Sequence, residues 1–452
     1  MKTWSAPSVP RLPGTGSAIE IMDTSSGRLA VASSGPVATL YACGITPYDA
    51  THMGHAATYV AWDLLMRGWR DSGLRPLYTQ NVTDVDDPLL ERAERDGEDW
   101  RELARRETDR YRADMAALRV LPPDHLVGVV EALGFIDELG GRLAERGALY
   151  DLAGDRYLAR SADPAFGSVS GLGKLEMIEF FAERGGDPGR LGKKDPLDAL
   201  IWRAERPGEP AWDSRFGPGR PGWHVECAAI ATHYLGVSFD VQAGGSDLIF
   251  PHHEMSASHA RVAYGGEGDG PARGGDVFAR LYAHAGMVRL DGEKMSKSLG
   301  NLVFVSRLRE AGTDPMVIRL AILAHHYRSD WDWTRAGLAE AERRLERWRS
   351  ACHLAARTAG IGALVDIAAT AGLAGKGPGG PSPARAGAPG GGPGRAVLAR
   401  VRERIADDLD APGALTVIDD WAGAVLASGG SSAGGDAGLV AATADALLGI
   451  VL

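Results

Sequence analysis

Tyr41–Tyr59, YACGITPYDATHMGHAATY, is the stretch on which the reading of this chain turns. Its centre, His52-Met53-Gly54-His55, follows an apolar run from Val37 to Ala42 and precedes an amphipathic one from Ala56 to Trp69. That is the pattern of a strand, a loop and a helix start. A helix N-terminus attracts phosphate through unpaired backbone N–H groups and its positive dipole end; Gly54 lets the backbone approach closely, and two imidazoles can donate to charge developing on phosphate. The plainer reading is an ordinary helix start with two surface histidines. A second stretch weighs against it: Glu293-Lys294-Met295-Ser296-Lys297-Ser298 lies far downstream in a polar, glycine-flanked loop. Alone this loop reads as a solvated basic turn, but its order and separation from the histidine signature point to one shared site.

From Val37 the order strand, signature corner, helix to about Ser72 and second strand (Leu74 to Asn81) is a βαβ opening. The fold class expected is therefore α/β, a parallel-sheet nucleotide fold with ligands beyond the strand C-terminal ends, where Cys43 and Asn81-Val82-Thr83 fall. Helical stretches follow at Leu89–Asp96, Asp99–Ala117 and Gly128–Arg146. The acids Asp84, Asp86 and Asp87 read as helix caps sooner than as metal ligands. Tyr150–Leu158 predicts a hairpin turning at Gly154-Asp155, in an α+β insertion that also holds the turn-rich Glu183-Arg184-Gly185-Gly186-Asp187-Pro188. A helix over Trp223–Leu235, a strand over Val237–Gln242, a tight loop at Gly244–Asp247 and a helix from Pro251 resume the nucleotide fold. Gly265–Gly275 reads as a flexible connection, Leu281–Val288 as the last strand before the lysine loop and Pro315–His326 as a helix beyond it.

The expected division is a peripheral segment over 1–36 with a short strand pair, the first half of the catalytic fold over 37–120, an inserted subdomain over 121–197 and the second half over 198–288. The lysine loop and its stem take 289–334. A C-terminal helical region over 335–452 has pieces near 335–357, 396–409 and 437–450 and a disordered Gly/Pro-rich linker at 375–394.

The 452 residues suffice for two or three domains, and 44% hydrophobic with 24% charged residues indicates neither global disorder nor a membrane protein. A net charge of −10 supplies no global field for a polyanion. The N-terminal MKTWSAPSVPRLPGTG lacks the apolar core of a secretory signal, so a cytoplasmic location is expected. The three cysteines, Cys43, Cys227 and Cys352, are too few for a disulfide scaffold. Cys43 ends the first strand, Cys227 sits on the next-but-later helix, and His252 or His253 stands at a helix start. Two thiolates and one imidazole at one end of a parallel sheet suit zinc with an open fourth position, which would select a thiol substrate over a hydroxyl one. Cys352 fits a plain buried cysteine. In 401–452 only Arg402 and Arg404 stand against eight acids, and the only aromatics after Arg335 are Trp348 and Trp421, so tRNA is not expected as a partner.

The histidine signature with the lysine loop resembles the class I aminoacyl-tRNA synthetases. YACGITPYDATHMGHAATY, NVTDVDD, RPGWHVEC, GGSDLIFPHHE and EKMSKSLGN together resemble the cysteinyl-tRNA synthetase superfamily from Cys43 through Asn301, and ERGGDP resembles its mycothiol-pathway cysteine ligases. The resemblance implies a Rossmann-like class I synthetase fold and a two-step enzyme that uses ATP and L-cysteine to acylate the amine of glucosaminyl-inositol through a cysteinyl-adenylate. It implies one Zn2+ per chain on Cys43, Cys227 and His252, and Mg2+ with ATP. His52, His55, Lys294 and Lys297 would stabilise charge on the phosphates. Cys43, Gly44, Ile45, Thr46, Thr58, Asn81, Val82, Thr83, Trp223, Gly245, Ser246, Asp247 and Val288 would hold the adenylate in a monomer. The chain departs from the tRNA enzymes at Ser256, where they carry a fourth zinc ligand, and at Ala57 and Pro88, where they carry an arginine and a lysine. Two other readings stand beside the ligase: a true cysteinyl-tRNA synthetase, and an inactive zinc-binding paralogue, which would not need intact histidine and lysine motifs.

Overall fold

A computed structural model describes residues 1–49, 51–265, 277–290, 293–294, 302–358, 392–430 and 436–452. The expected peripheral strand pair forms as β1 (Glu20–Asp23) and β2 (Arg28–Val31). Next come β3 (Val37–Ile45), α1 (Met53–Asp71) and β4 (Arg75–Val82). Then follow α2 (Asp87–Asp96), α3 (Trp100–Ala117), β5 (His125–Gly128) and α4 (Val129–Glu145). The insertion contains β6 (Leu149–Leu152), β7 (Asp155–Leu158), α5 (Lys174–Glu183), β8 (Ala199–Ala204) and β9 (Gly219–Pro221). The second half has α6 (Trp223–Leu235), β10 (Ser238–Gly245), α7 (Glu254–Tyr264) and β11 (Phe278–Ala285).

The core sheet has the order β11-β10-β3-β4-β5, and every neighbouring pair is parallel. The order reverses between β3 and β10, the switch point at which a doubly wound sheet opens a crevice beyond its strand C-termini. Near-continuous apolar strands follow from burial on both faces: Leu40, Ala42, Val241 and Ala243 are all inaccessible. Two boundaries differ from expectation. β5 lies inside the expected 121–197 insertion yet is an edge strand of the core sheet, and β8 and β9 carry the inserted antiparallel sheet, β6-β7-β8-β9, past 197 to Pro221. The irregular turn at Ile249–His253 also delays the regular helix expected from Pro251 until Glu254.

Beyond the sheet lie β12 (Val288–Leu290), β13 (Glu293–Lys294), α8 (Val305–Glu310), α9 (Pro315–Leu323) and β14 (Trp331–Trp333). The C-terminal region is α10 (Arg335–Thr358), α11 (Pro393–Ala406), α12 (Ala411–Ala427) and α13 (Ala437–Leu448). α12 was not among the expected helical pieces. The expected Gly265–Gly275 connection lies outside the described residues except for Gly265. So does the expected linker, apart from Gly392, Pro393 and Gly394, of which the last two open α11. Trp348, Cys352 and Trp421 are buried in one core with α1. Among the described residues no helix is long and apolar enough to cross a membrane.

The C-terminal helices are joined to the nucleotide fold by ions with no exposure to water. On α1, Asp63 Oδ2 accepts from Arg67 Nε at 2.7 Å and from Arg319 Nη2, while its Oδ1 accepts from the Leu121 amide at 2.8 Å. Arg67 Nη1 reaches the Asp445 carbonyl at 2.7 Å, and Arg319 Nε reaches the Leu448 carbonyl at 2.6 Å, both on α13. Burial alone would raise the Asp63 carboxyl, but Arg67 and Arg319 outweigh it and hold it below the ordinary range; burial pushes Arg319 down to about 10. We predict that Asp63→Asn costs on the order of 3–5 kcal/mol, measured by denaturant unfolding, because two guanidiniums are left buried without a counter-charge. Since the folded carboxyl is depressed, its contribution is complete above its unfolded pKa and is lost as pH falls through the folded one. The variant should therefore show a flatter acid limb than the parent.

Candidate active site

The signature corner is built by its own side chains. His52 caps α1, its Nδ1 accepting from the Gly54 amide at 3.1 Å, and its ring stacks on His55 with centroids 3.8 Å apart. His55 is half-buried, its Nδ1 has no partner among the described residues, and loss of solvation lowers it to about 4, so it is neutral at pH 7. On the other side, β3 carries one extra residue against β4: Ala42 and Ile45 pair with Gln80 and Val82. The resulting bulge turns Cys43 and Gly44 out of the regular pleat. Gly44 donates to Asn81 Oδ1 at 2.8 Å, and a Cβ on it would lie 1.6 Å from the Asn81 carbonyl oxygen, so no other residue fits there.

Cys43, Cys227 and His252, all buried, place their ligand atoms within 4.8 Å of one another. His252 Nε2 lies 3.2 Å from Cys227 Sγ, and His252 Nδ1 lies 3.0 Å from His224 Nδ1, which orients the ring. Trp223 stacks on His252 with centroids 4.3 Å apart. His253 Nε2 also comes within 3.2 Å of Cys43 Sγ, but its Nδ1 is engaged with His284 Nε2 at 2.7 Å. Of the two histidines, His252 is the one that joins both thiols in a three-member cluster. Burial, with Cys43 beside it, pushes the Cys227 thiol well up, so the buried site favours thiolates only in the company of a cation, and a soft divalent ion fits it. Ser256 takes no part: its Oγ donates to the His252 carbonyl at 2.7 Å. Cys352 stands apart on α10, pushed up to about 12 by burial.

Between the cluster and the signature lies a cavity of about 500 Å³. Of the expected residues, Cys43, Gly44, Thr46, His52, His55, Thr58, Trp223, Gly245, Asp247 and Val288 line it. Ile45, Asn81, Val82, Thr83 and Ser246 do not. Asn81 is a strut: besides Gly44 it binds the Tyr41 hydroxyl at 3.2 Å and Thr83 Oγ1 at 3.0 Å. Tyr48, Tyr59, Met287 and Leu302 line the cavity without having been singled out in the sequence; a signal existed only for Tyr48 and Tyr59, both inside the signature stretch. Lys297 lies outside the described residues. Lys294 is described as far as its backbone, paired with Arg289 in the β12–β13 hairpin. Past the loop, Val303 accepts from the Met53 amide at 2.8 Å and Val305 donates to the Thr51 carbonyl at 3.0 Å. The chain on both sides of the lysine motif is thus held beside the cavity. Two of the acids at 84–87 act as expected: Asp86 caps α2, and Asp84 accepts from the Val130 amide at 3.0 Å, whereas Asp87 is ion-paired with Arg203 at 2.9 Å.

A parallel sheet with its switch point between β3 and β10, a histidine signature capping the first helix and a lysine motif whose described flanks lie beside it define a class I synthetase nucleotide site. Residues 30–343 match the family of tRNA synthetases class I (C) catalytic domains. The structure is similar to methionyl-tRNA synthetase of Mycobacterium tuberculosis in complex with methionyl-adenylate, with a TM-score of 0.58 and 17% identity over 91% of this chain and 89% of that one. It is also similar to the Agrobacterium radiobacter K84 agnB2 leucyl enzyme in a ternary complex, at 0.63 and 12% over 92% and 84%. At those identities the likeness concerns the fold. Full-length similarity is much higher to L-cysteine:1D-myo-inositol 2-amino-2-deoxy-alpha-D-glucopyranoside ligases: 55% for that of Thermomonospora curvata, over 100% of both chains, and 52% for that of Thermobifida fusca, over 100% of this chain and 99% of the relative. The chain belongs to this ligase family within the class I synthetases.

For the cluster, we predict that purified protein carries one tightly held thiophilic metal ion, read by elemental analysis. Cys227→Ala should lose it, because two remaining ligands cannot hold the ion, and Cys352→Ala should keep it.

Proposed function

We propose that the protein is an ATP-dependent, AMP-forming ligase that joins L-cysteine to the amine of 1D-myo-inositol 2-amino-2-deoxy-alpha-D-glucopyranoside, glucosaminyl-inositol, acting as a cytoplasmic monomer in mycothiol biosynthesis. The observation that carries the reading is a buried cluster of two thiols and one imidazole opening onto a nucleotide-type cavity, in a chain similar over its whole length to ligases of that name.

In the first step a carboxylate oxygen of cysteine attacks the α-phosphorus of ATP, the bond to the bridging oxygen breaks, and pyrophosphate leaves. In the second the amine attacks the adenylate carbonyl carbon, the bond to the phosphate oxygen breaks, AMP leaves, and the nitrogen gives up a proton. His52 and His55, with Lys294 and Lys297, stabilise charge developing on the phosphates, an electrostatic and positioning role. His55 does so from the neutral state that its burial enforces. Gly44, Thr46, Thr58, Trp223, Gly245, Asp247 and Val288 hold the adenylate, and Asn81 acts on it through Gly44. Zn2+ on Cys43, Cys227 and His252 would supply a soft open position for the substrate thiol, and Ser256, turned to a backbone carbonyl, leaves that position open. Mg2+ accompanies ATP, with no side chain assigned to it.

The acceptor is small. A tRNA-binding surface needs cations and stacking faces, yet Trp348 and Trp421 are buried. Arg402 is paired with Asp71 at 2.7 Å, and Arg344 with Asp419 at 3.0 Å. The test is to supply ATP and cysteine with either glucosaminyl-inositol or cysteine tRNA; acylation of the amine with tRNA untouched supports the reading, and salt-sensitive charging of tRNA overturns it. Lys297→Ala should lower the rate of cysteine-dependent pyrophosphate–ATP exchange by about 100-fold, the size typical of losing one charge-stabilising contact, while cysteine binding stays near the parent's. A defect confined to cysteine affinity would remove this lysine from the phosphate chemistry.

A further inference from the structure

A second cavity, of about 710 Å³, opens beside the first and shares with it Thr46, Tyr48, Trp223, Asp247 and Leu248. Its far wall comes from the inserted subdomain, including Glu183-Arg184-Gly185-Gly186-Asp187. Four of those five residues are explained by local geometry. Arg184 Nη1 donates to the Asp247 carbonyl at 2.6 Å and to the Phe250 carbonyl, tying the segment to the rim of the first cavity. Gly185 has φ +84°, and a Cβ on Gly186 would lie 2.2 Å from the Phe181 ring. Asp187 accepts from the Tyr157 hydroxyl and, at 2.9 Å, from Lys193 Nζ. Glu183 has no such duty: it is the exposed last residue of α5, lines the cavity, and its carboxylate pairs with nothing among the described residues.

The chemistry of the wall is that of a site for a cationic polyol. Besides Glu183, Glu91 and Asp247 line the cavity with carboxylates that have no partner among the described residues. Facing them, Arg203 and Arg220 are already neutralised, Arg203 by Asp87 at 2.9 Å and Arg220 by Asp87 and by Glu209 at 2.9 Å. Ion-paired guanidiniums still offer N–H donors, and unpaired carboxylates offer acceptors, so neighbouring hydroxyls that both donate and accept are matched on both counts. An ammonium group is drawn to the same carboxylates, whereas polynucleotide phosphates are repelled. We propose that this cavity is the acceptor subsite, receiving an amino sugar linked to a second polyhydroxylated ring, and that Glu183 is a specificity-determining contact to it. The proposal rests on the ligase reading above, and the shared wall lets the amine meet an adenylate held in the first cavity.

E183Q keeps the shape of the side chain and removes its charge, and E183K reverses the charge. In metal-loaded full-length protein, ligation is followed over a range of glucosaminyl-inositol concentrations, with cysteine-dependent pyrophosphate–ATP exchange as the control for the first cavity. The expected result is an acceptor KM raised about 10-fold or more in E183Q and further in E183K, the size of losing a charged hydrogen bond, with exchange within about two-fold of the parent. An unchanged acceptor KM in both variants overturns the subsite, and so does a loss of exchange that accounts for the loss of ligation. If the parent exchanges pyrophosphate but acylates no glucosaminyl-inositol, the ligase reading itself falls and takes the subsite with it, an outcome visible before either variant is assayed.

Discussion

The Asp63 carboxylate, with no water contact and two guanidiniums upon it, sets where the signature helix can lie. Each buried ion costs several kcal/mol to desolvate, and pairing offsets that cost only when the geometry is good and the remaining hydrogen-bonding groups are satisfied. Here they are met by backbone carbonyls at Leu118, Arg119, Asp445, Ala446 and Leu448 and by the Leu121 amide. An apolar contact tolerates sliding; this arrangement does not, because each guanidinium is aimed at carbonyls with fixed directions. α1 is thereby held from behind by α13 and the end of α3. Its N-terminus, with His52 and His55, is presented to the cavity at one angle. The C-terminal region thus acts as a brace for the catalytic fold.

From that brace the site follows in short steps. α1 runs back from the C-terminal end of β3, where one extra residue bends the strand and turns Cys43 toward α6. Cys227 meets it from the buried face of α6, a helix covered on nearly all sides. His252 arrives from the turn after β10, held between the Trp223 ring and His224. The three come from separate parts of the chain and converge because Cys43 lies near the C-terminal end of β3, His252 follows that of β10, and Cys227 is on α6, which packs against β3. The chain downstream of the lysine motif is joined to the same place, because Val303 and Val305 make backbone hydrogen bonds with Met53 and Thr51.

What could be read in the sequence was what local chemistry decides. Long apolar strands, the helix start at the His52–His55 signature, the α6 boundaries and the Gly154 turn each announce themselves within a few residues. β5 did not: its four residues begin with a polar histidine, and its strand character comes from pairing with β4. β8 fell on the wrong side of the expected boundary at 198, because its partners are the inserted strands β7 and β9 and not the core sheet. α12 begins Ala-Pro-Gly, which reads as a loop until Asp410 is seen accepting from the Gly413 amide at 2.8 Å. The members of the thiol–imidazole cluster were legible as residue types, but the place of His252 over His253 in it depended on which ring faces both thiols. Leu302 lines the cavity and carries no local mark.

Asn81 shows how a motif residue can shape the cavity without lining it. Its side chain joins the Tyr41 hydroxyl, the Gly44 amide and Thr83 Oγ1, so it holds the bulged end of β3 against the end of β4. The absence of a side chain at Gly44 is what lets the two strands come this close. Displacing Asn81 would release the bulge, and with it the direction in which Cys43 points. The asparagine therefore acts on the thiol cluster and on the cavity floor together, through a single backbone distortion. The same logic accounts for Arg184 on the opposite rim, which sets the position of Asp247 by its carbonyl and leaves that carboxylate unengaged at the wall the two cavities share. Both rims are thus positioned through backbone groups, which keeps the side chains that face the cavities available for ligands.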